Sequence, residues 1–182
     1  MYRVLRFGIA FCLIFSFLYG FIDAQEEGYI SRKDFVVGLS NSLKGFAEEI
    51  TPSQQDMYRD LFFLSLKDRQ AIFYIIDRIG FIGNAKTKEF YPNRYITYAE
   101  ASVILYRLLD GQKRFDPDVI VTANYFGSHW SASYFNALVD QGFFLDGSQS
   151  IEMITPKMAV LNRDMDTILN VFSNIFFDSN DM

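Results

Sequence analysis

The sequence is poor in the residues that most often carry out chemistry. Among 182 residues there is one cysteine, Cys12, and one histidine, His129. A lone cysteine cannot form an intrachain disulfide. Ser128 and Ser131 flank His129, but no glycine-rich nucleophile turn accompanies them. The sequence also has no phosphate-binding loop and no spacing of metal ligands. We therefore predict a protein that is not an enzyme and that uses no cofactor and no metal.

Basic residues are also in deficit, since 17 Lys and Arg face 22 Asp and Glu, giving a net charge of -5. An acidic chain is repelled by phosphate backbones, so we expect no nucleic-acid partner. Half of the residues are hydrophobic and 18% are aromatic. This length and composition predict one domain, or a few small repeats that share one core.

The N-terminus has the pattern of a secretory signal. Arg3 and Arg6 precede an apolar run at residues 7–22, and the small residue Ala24 ends the segment. This order predicts export to the periplasm, cell envelope or cell surface, with residues 1–24 cleaved off. The alternative is an uncleaved segment that anchors the protein in a membrane.

A short pattern recurs at residues 30–34 (ISRKD), 96–100 (ITYAE) and 154–158 (ITPKM), at spacings of 66 and 58 residues. In each copy an isoleucine precedes a hydroxyl residue that can cap a helix. Further features suit a helix start: Asp34 and Glu100 can complete capping boxes, and Pro156 suits the first helical position. Amphipathic stripes follow the three copies, at Phe35, Leu39, Leu43 and Phe46, at Ala101, Ile104, Leu105 and Leu108, and at Met158, Leu161, Met165, Ile168, Leu169 and Phe172.

Two further helices end at a glycine, residues 71–80 at Gly80 and residues 135–142 at Gly142. The pattern predicts a unit of helix, glycine stop, loop and capped helix, repeated over the domain 25–182. The units lie roughly at 29–46, 60–110 and 116–175, and the first lacks its leading helix. Between units, residues 47–65 form an insertion whose short helix starts after Thr51, with Leu61, Phe62 and Leu64 packing inward.

This order of elements resembles the S-layer homology repeat. The best stretch runs from His129 and Trp130 through the helix to Gly142 and on to Ile154 and Thr155. The second runs from Asp60 through Gly80 and Gly83 to residues 96–101 (ITYAEA). The resemblance implies a mostly α-helical, small pseudo-symmetric bundle, with three repeats in a pseudo-threefold prism. It also implies grooves between the repeats that hold anionic cell-wall carbohydrate.

The family places a basic residue after the motif threonine, and only Arg32 keeps it, since Tyr98 and Pro156 stand at the other two positions. Arg32 is a candidate for binding an anionic substituent, with a solvated first-turn residue as the alternative. Lys157 is a candidate one position later. Trp130 could stack on a sugar, although packing at the helix start is the expected role of an aromatic residue.

Ser31 adjoins Arg32 at this candidate site, and capping alone explains it, as it explains Asp34, Thr97, Glu100 and Thr155. Lys86, Lys88 and Arg94 form a local basic region in an acidic chain.

Two functions remain open from the sequence. The first is association with an anionic cell-wall polysaccharide or peptidoglycan-linked polymer. The second is a structural or interaction module that has lost carbohydrate binding and contacts another envelope protein. Membrane contact is expected only if the N-terminal segment stays uncleaved.

Overall fold

A computed structural model of the protein describes residues 28–111, 124–145 and 150–177. Within these ranges the chain is mostly α-helical, as predicted, and has no extended strands. Its helices are α1 (Arg32–Ser42), α2 (Pro52–Gln55), α3 (Leu66–Ile79), α4 (Tyr98–Asp110), α5 (Ala132–Asp140) and α6 (Asn162–Phe177), with a 3-10 turn at Ile151–Met153. The predicted signal segment at 1–24 lies outside the described residues.

The first two capped helices begin where the sequence predicts. Thr97 and Glu100 form a reciprocal capping box at the start of α4. Ser31 caps α1 by accepting from the Asp34 N–H at 3.1 Å. The Asp34 carboxylate accepts from the Ser31 hydroxyl at 2.6 Å rather than from the backbone, so this second box is only half formed.

The third predicted start is wrong, because no helix begins after Thr155 and α6 begins at Asn162. Pro156 lies in a turn rather than at a first helical position. The carbonyls of Pro156 and Met158 accept from the first N–H groups of α4, those of Ala99 and Tyr98, at 3.2 and 3.0 Å. These free donors of a helix N-terminus need partners. Residues 156–158 provide them, and a helix there would use the same carbonyls internally.

Three short backbone segments meet at the centre of the fold. The Ile30 N–H donates to Val160 at 2.9 Å, the Val160 N–H to Ile96 at 2.9 Å, and the Ile96 N–H to Ile30 at 3.0 Å. The three bonds close a ring, and all three side chains are buried. Each segment leads directly into a helix, α1, α4 or α6. The ring therefore fixes where these three helices start relative to one another.

The core is continuous from Ile30 to Phe172 and is rich in phenylalanine. Phe126, Phe135 and Phe144 stack in a row, with ring centroids 3.8 and 5.0 Å apart. Two predicted core positions are wrong. Phe46 lies beyond the end of α1 and is 38% exposed, and Phe62 is 64% exposed, while Leu61 beside it is buried.

Both predicted glycine stops are confirmed. Gly80 and Gly142 have φ of 81° and 89°, which favour glycine. After α5 the Gly142 N–H donates to the carbonyl of Val139 and the Phe143 N–H to that of Leu138. This pair of bonds is a Schellman motif, and it buries Phe143 against the end of the helix.

In the ranges that the structure describes, no helix combines the length and apolarity needed to span a membrane.

Candidate functional site

A cleft of about 600 Å³ opens where the start of α1, the end of α3 and the outer face of α4 come together. This volume is within the range of small-ligand sites. Its charged lining residues are Arg32, Lys86, Arg94, Glu100 and Arg107, and its aromatic ones are Phe81, Tyr91 and Trp130. The floor is apolar, formed by Ile79, Ile82, Val103 and Ile104.

Arg32 and Glu100 form the polar centre of the cleft. Arg32, the first residue of α1, places its guanidinium 2.6 Å from the Glu100 carboxylate. The same carboxylate oxygen also accepts from Arg94, and the other oxygen accepts from the Thr97 N–H. One carboxylate therefore joins two arginines to the N-terminus of α4. The site is assembled from two helices, α1 and α4, whose first residues are 66 positions apart in the sequence.

Arg32 is buried, with only 3% of its surface exposed, so the alternative of a solvated first-turn residue is wrong. It donates a second hydrogen bond to the Phe90 carbonyl. Burial lowers the pKa of the guanidinium, and the charge of Glu100 opposes this shift. Its Nε atom is buried and has no hydrogen-bond partner. An unsatisfied donor on a buried cation is costly.

The cleft is positive although the chain is acidic. Among the lining residues that the structure describes, Arg32, Arg94, Arg107 and Lys86 face one carboxylate, that of Glu100, which leaves an excess of three positive charges. Arg107 and Lys86 are exposed and form no side-chain ion pair within the described residues. Such a concave positive surface attracts anions and raises their local concentration.

Trp130 stands at the edge of the cleft rather than in the core. It is 63% exposed, so the expectation that it packs at the helix start is wrong. Its closest aromatic neighbour is His129, with ring centroids 5.4 Å apart. Tyr91 also lines the cleft, with the Arg94 guanidinium 5.7 Å from its ring centroid. Exposed rings beside cationic groups can stack on a sugar face while the cations hold its charged substituents.

The predicted site residues divide into two groups. Arg32 and Trp130 both line the cleft, although 98 positions separate them. Ser31 acts as the cap of α1, and the exposed Lys157 lies in the turn before α6; neither lines the cleft. Of the predicted basic region, Lys86 and Arg94 line the cleft and Lys88 does not.

Sequence reasoning missed Arg107 and assigned Glu100 only a capping role. The pattern that would have identified them is helical periodicity. Glu100, Val103, Ile104 and Arg107 follow the spacing that places residues on one helix face, and all four line the cleft.

A related arrangement joins α4 to α6, but there the surface is closed. The Tyr98 hydroxyl donates to the buried Asp164 carboxylate at 2.9 Å. Burial is the main cause that raises the pKa of Tyr98, and the Asp164 charge adds to it. Phe144 packs edge-on against Tyr98 at 5.5 Å, and the cavity between them is only about 10 Å³. No sugar fits there.

Comparison of the chain with protein-family models, curated proteins and solved structures gives no match. Function must therefore be argued from the residues of the cleft.

Proposed function

We propose that this is an exported, non-catalytic protein that binds an anionic polymer of the cell envelope, such as an acidic wall polysaccharide, in the cleft between α1 and α4. The observation that carries the proposal is the excess of three positive charges in a cleft edged by an exposed tryptophan, in a chain of net charge -5. Guanidinium groups pair with carboxylates and phosphates in a bidentate geometry. The aromatic rings offer a sugar-stacking surface beside them.

The resemblance to S-layer homology repeats supports this proposal through the central ring. Ile30, Ile96 and Val160 occupy corresponding places in it, at spacings of 66 and 64 residues. The residue two positions after each of them donates its N–H to a neighbouring segment. Arg32 donates to the carbonyl of Arg94, Tyr98 to that of Met158, and Asn162 to that of Gly28. This cyclic pattern is what a pseudo-threefold repeat would produce, with the third motif at residues 160–164 instead of 154–158.

When the three segments are aligned on Ile30, Ile96 and Val160, the residue two positions later is Arg32, Tyr98 and Asn162, respectively. The acidic residue two positions further on is Asp34, Glu100 or Asp164. Arg32 thus pairs with the acid of the second motif and Tyr98 with that of the third. The first junction holds Arg32 and Arg94 and is open, whereas the second is closed around Tyr98 and Asp164. We infer a single binding cleft in the described part of the chain.

The closed Tyr98–Asp164 junction favours a second candidate function. A repeat whose junctions have been filled in would serve as a structural or protein-interaction module, with another envelope protein as its partner. Under this reading the cleft at Arg32 is a remnant and binds no polymer.

Co-sedimentation with isolated wall material distinguishes the two functions. A chain that starts at Gln25 contains every described core residue, so it is a suitable protein for the assay. We expect it to sediment at low salt and to be released at high salt, because exposed charges are screened. The variant Lys86→Gln/Arg107→Gln should lose binding and retain its fold, because both residues are exposed.

The matched control is Lys44→Gln/Lys157→Gln, which removes the same charge from exposed residues outside the cleft. Equal loss in both variants would show binding through net charge alone. Absence of wild-type sedimentation would leave the interaction module as the better function.

A further inference from the structure

A cluster of apolar side chains projects from the surface around the N-terminal end of α3. Phe62, Phe63 and Leu66 are 64%, 80% and 58% exposed, and Phe46, whose ring lies near Lys67, is 38% exposed. We call these four residues the aromatic patch. Soluble proteins leave such clusters exposed mainly where they bind something.

The loop that carries the two phenylalanines is firmly held. Tyr58 and Leu61, on the same loop, are 2% exposed, and the Tyr58 hydroxyl both donates to and accepts from the backbone of Ile82, at 2.7 and 3.0 Å. Phe62 and Phe63 stand on this base with their ring centroids 3.7 Å apart. Their exposure therefore comes from a supported turn that presents two rings to solvent.

Cations flank the patch. Arg59 and Lys88 line the shallow depression beside Phe62, where Asp56 is the single acidic residue. On the other side the Lys67 ammonium lies 5.8 Å from the centroid of the Phe46 ring. Three cations thus lie around the patch, with Asp56 in the depression and Glu89 close enough to Arg59 to interact with its charge. These cations suit an anionic surface, and two copies of the patch facing each other in a symmetric dimer would bring like charges together.

The size of the patch also favours a membrane over a dimer. Its four side chains expose roughly 400–500 Å² of apolar surface. A stable dimer needs about 800 Å² per partner. Two adjacent aromatic rings with flanking cations suit shallow insertion at the headgroup level of a bilayer, where apolar burial and attraction to anionic lipids act together.

We propose that the aromatic patch is a docking surface for an anionic lipid bilayer. The patch surrounds the first residues of α3, whereas Ile79 at the far end of this helix lines the cleft. A 14-residue helix is about 21 Å long. The patch and the cleft share no residue, although the loop of Phe62 adjoins the cleft wall, since Asp60 accepts from the N–H of Tyr91. The proposed lipid binding does not rest on polymer binding.

Vesicle co-sedimentation tests the proposal with the chain that starts at Gln25, which removes the apolar run at residues 7–22. We expect binding to vesicles of phosphatidylcholine mixed with phosphatidylglycerol, and weaker binding to phosphatidylcholine alone. Phe62→Ser/Phe63→Ser should lower the partition coefficient at least about tenfold. Lys67→Gln/Lys88→Gln should weaken binding to the mixed vesicles and reduce its dependence on salt, since of the three cations only Arg59 remains.

The matched control is Tyr29→Ser/Tyr95→Ser, which removes another pair of exposed rings, 5.4 Å apart. It should bind vesicles as the wild type does, and so should the cleft variant Lys86→Gln/Arg107→Gln. The proposal is wrong if the control loses as much binding as the phenylalanine variant, or if the phenylalanine variant still binds fully. It is also wrong if sedimentation velocity shows a dimer that depends on Phe62 and Phe63 while vesicles are not bound.

Discussion

Substitution of Gly142 measures how much the end of α5 contributes to stability. Gly142 has a φ of 89°, and no atom lies within 4 Å of the place where a Cβ would stand. A new side chain therefore meets no steric obstacle, and its cost comes from the backbone conformation alone. A residue other than glycine in the left-handed region costs roughly 1–2 kcal/mol.

We therefore expect Gly142→Ala to lower the free energy of unfolding by about 1 kcal/mol. Gly142→Val should cost more than alanine does, because β-branching restricts the backbone further. Gly142→Asn should cost least, because asparagine tolerates positive φ. For a domain of this size, 1 kcal/mol corresponds to a change in Tm of about 2–4 °C.

Thermal unfolding followed by circular dichroism provides the measurement. Gly80→Ala should cost more than Gly142→Ala, because Gly80 combines a φ of 81° with a ψ of -156°, a region that essentially only glycine occupies. The reasoning fails if the valine variant melts with the wild type, or if asparagine destabilises as much as valine.

Three further predictions follow from buried or exposed groups. Arg32→Ala should destabilise the fold by about 2–3 kcal/mol. This is less than for a fully buried ion pair, because Glu100 is 25% exposed and keeps its contact with Arg94. Urea unfolding measures the change, and a loss below about 0.5 kcal/mol, as for ordinary surface substitutions, would contradict the prediction. Burial raises the pKa of Tyr58 from 10.0 to about 12, so the unfolded state ionises first and Tyr58 alone should lower stability by roughly 2–3 kcal/mol between pH 10 and 12, in addition to the loss from Tyr98. Tyr58→Phe should be less stable at pH 7 but should flatten this alkaline loss; an equally steep loss in the variant would assign it to other groups. Trp130→Ala should leave Tm unchanged and weaken polymer binding, whereas a clear drop in Tm would mean that the ring packs after all.

The sequence predicted the helices well because their boundaries depend on local chemistry. The cap at Thr97 and the glycine stops at Gly80 and Gly142 each act on backbone groups only a few residues away in the sequence. The start of α6 was missed because Thr155 and Pro156 imitate a helix start. Their backbone is instead used by the first N–H groups of α4, and no local pattern reveals such a long-range partner.

The cleft could be predicted only in part. Arg32 was found as a candidate because it follows a cap, but its burial depends on Glu100 and Phe90, which lie more than 50 residues away. Trp130 was expected in the core because aromatic residues usually pack. Its exposure follows from where α5 meets α4, and sequence periodicity does not fix that geometry.

A fluorescence titration tests binding of an anionic polymer in the cleft most directly. Trp130 is the only tryptophan in the chain and lines the cleft, so its emission reports on occupancy. We predict a saturable change in its emission on addition of polygalacturonate, an acidic polysaccharide, and no change with neutral dextran. Lys86→Gln/Arg107→Gln should raise the Kd at least about tenfold, whereas Lys44→Gln/Lys157→Gln should not. Unchanged emission with the acidic polymer, or the same Kd in both variants, would contradict the proposed site.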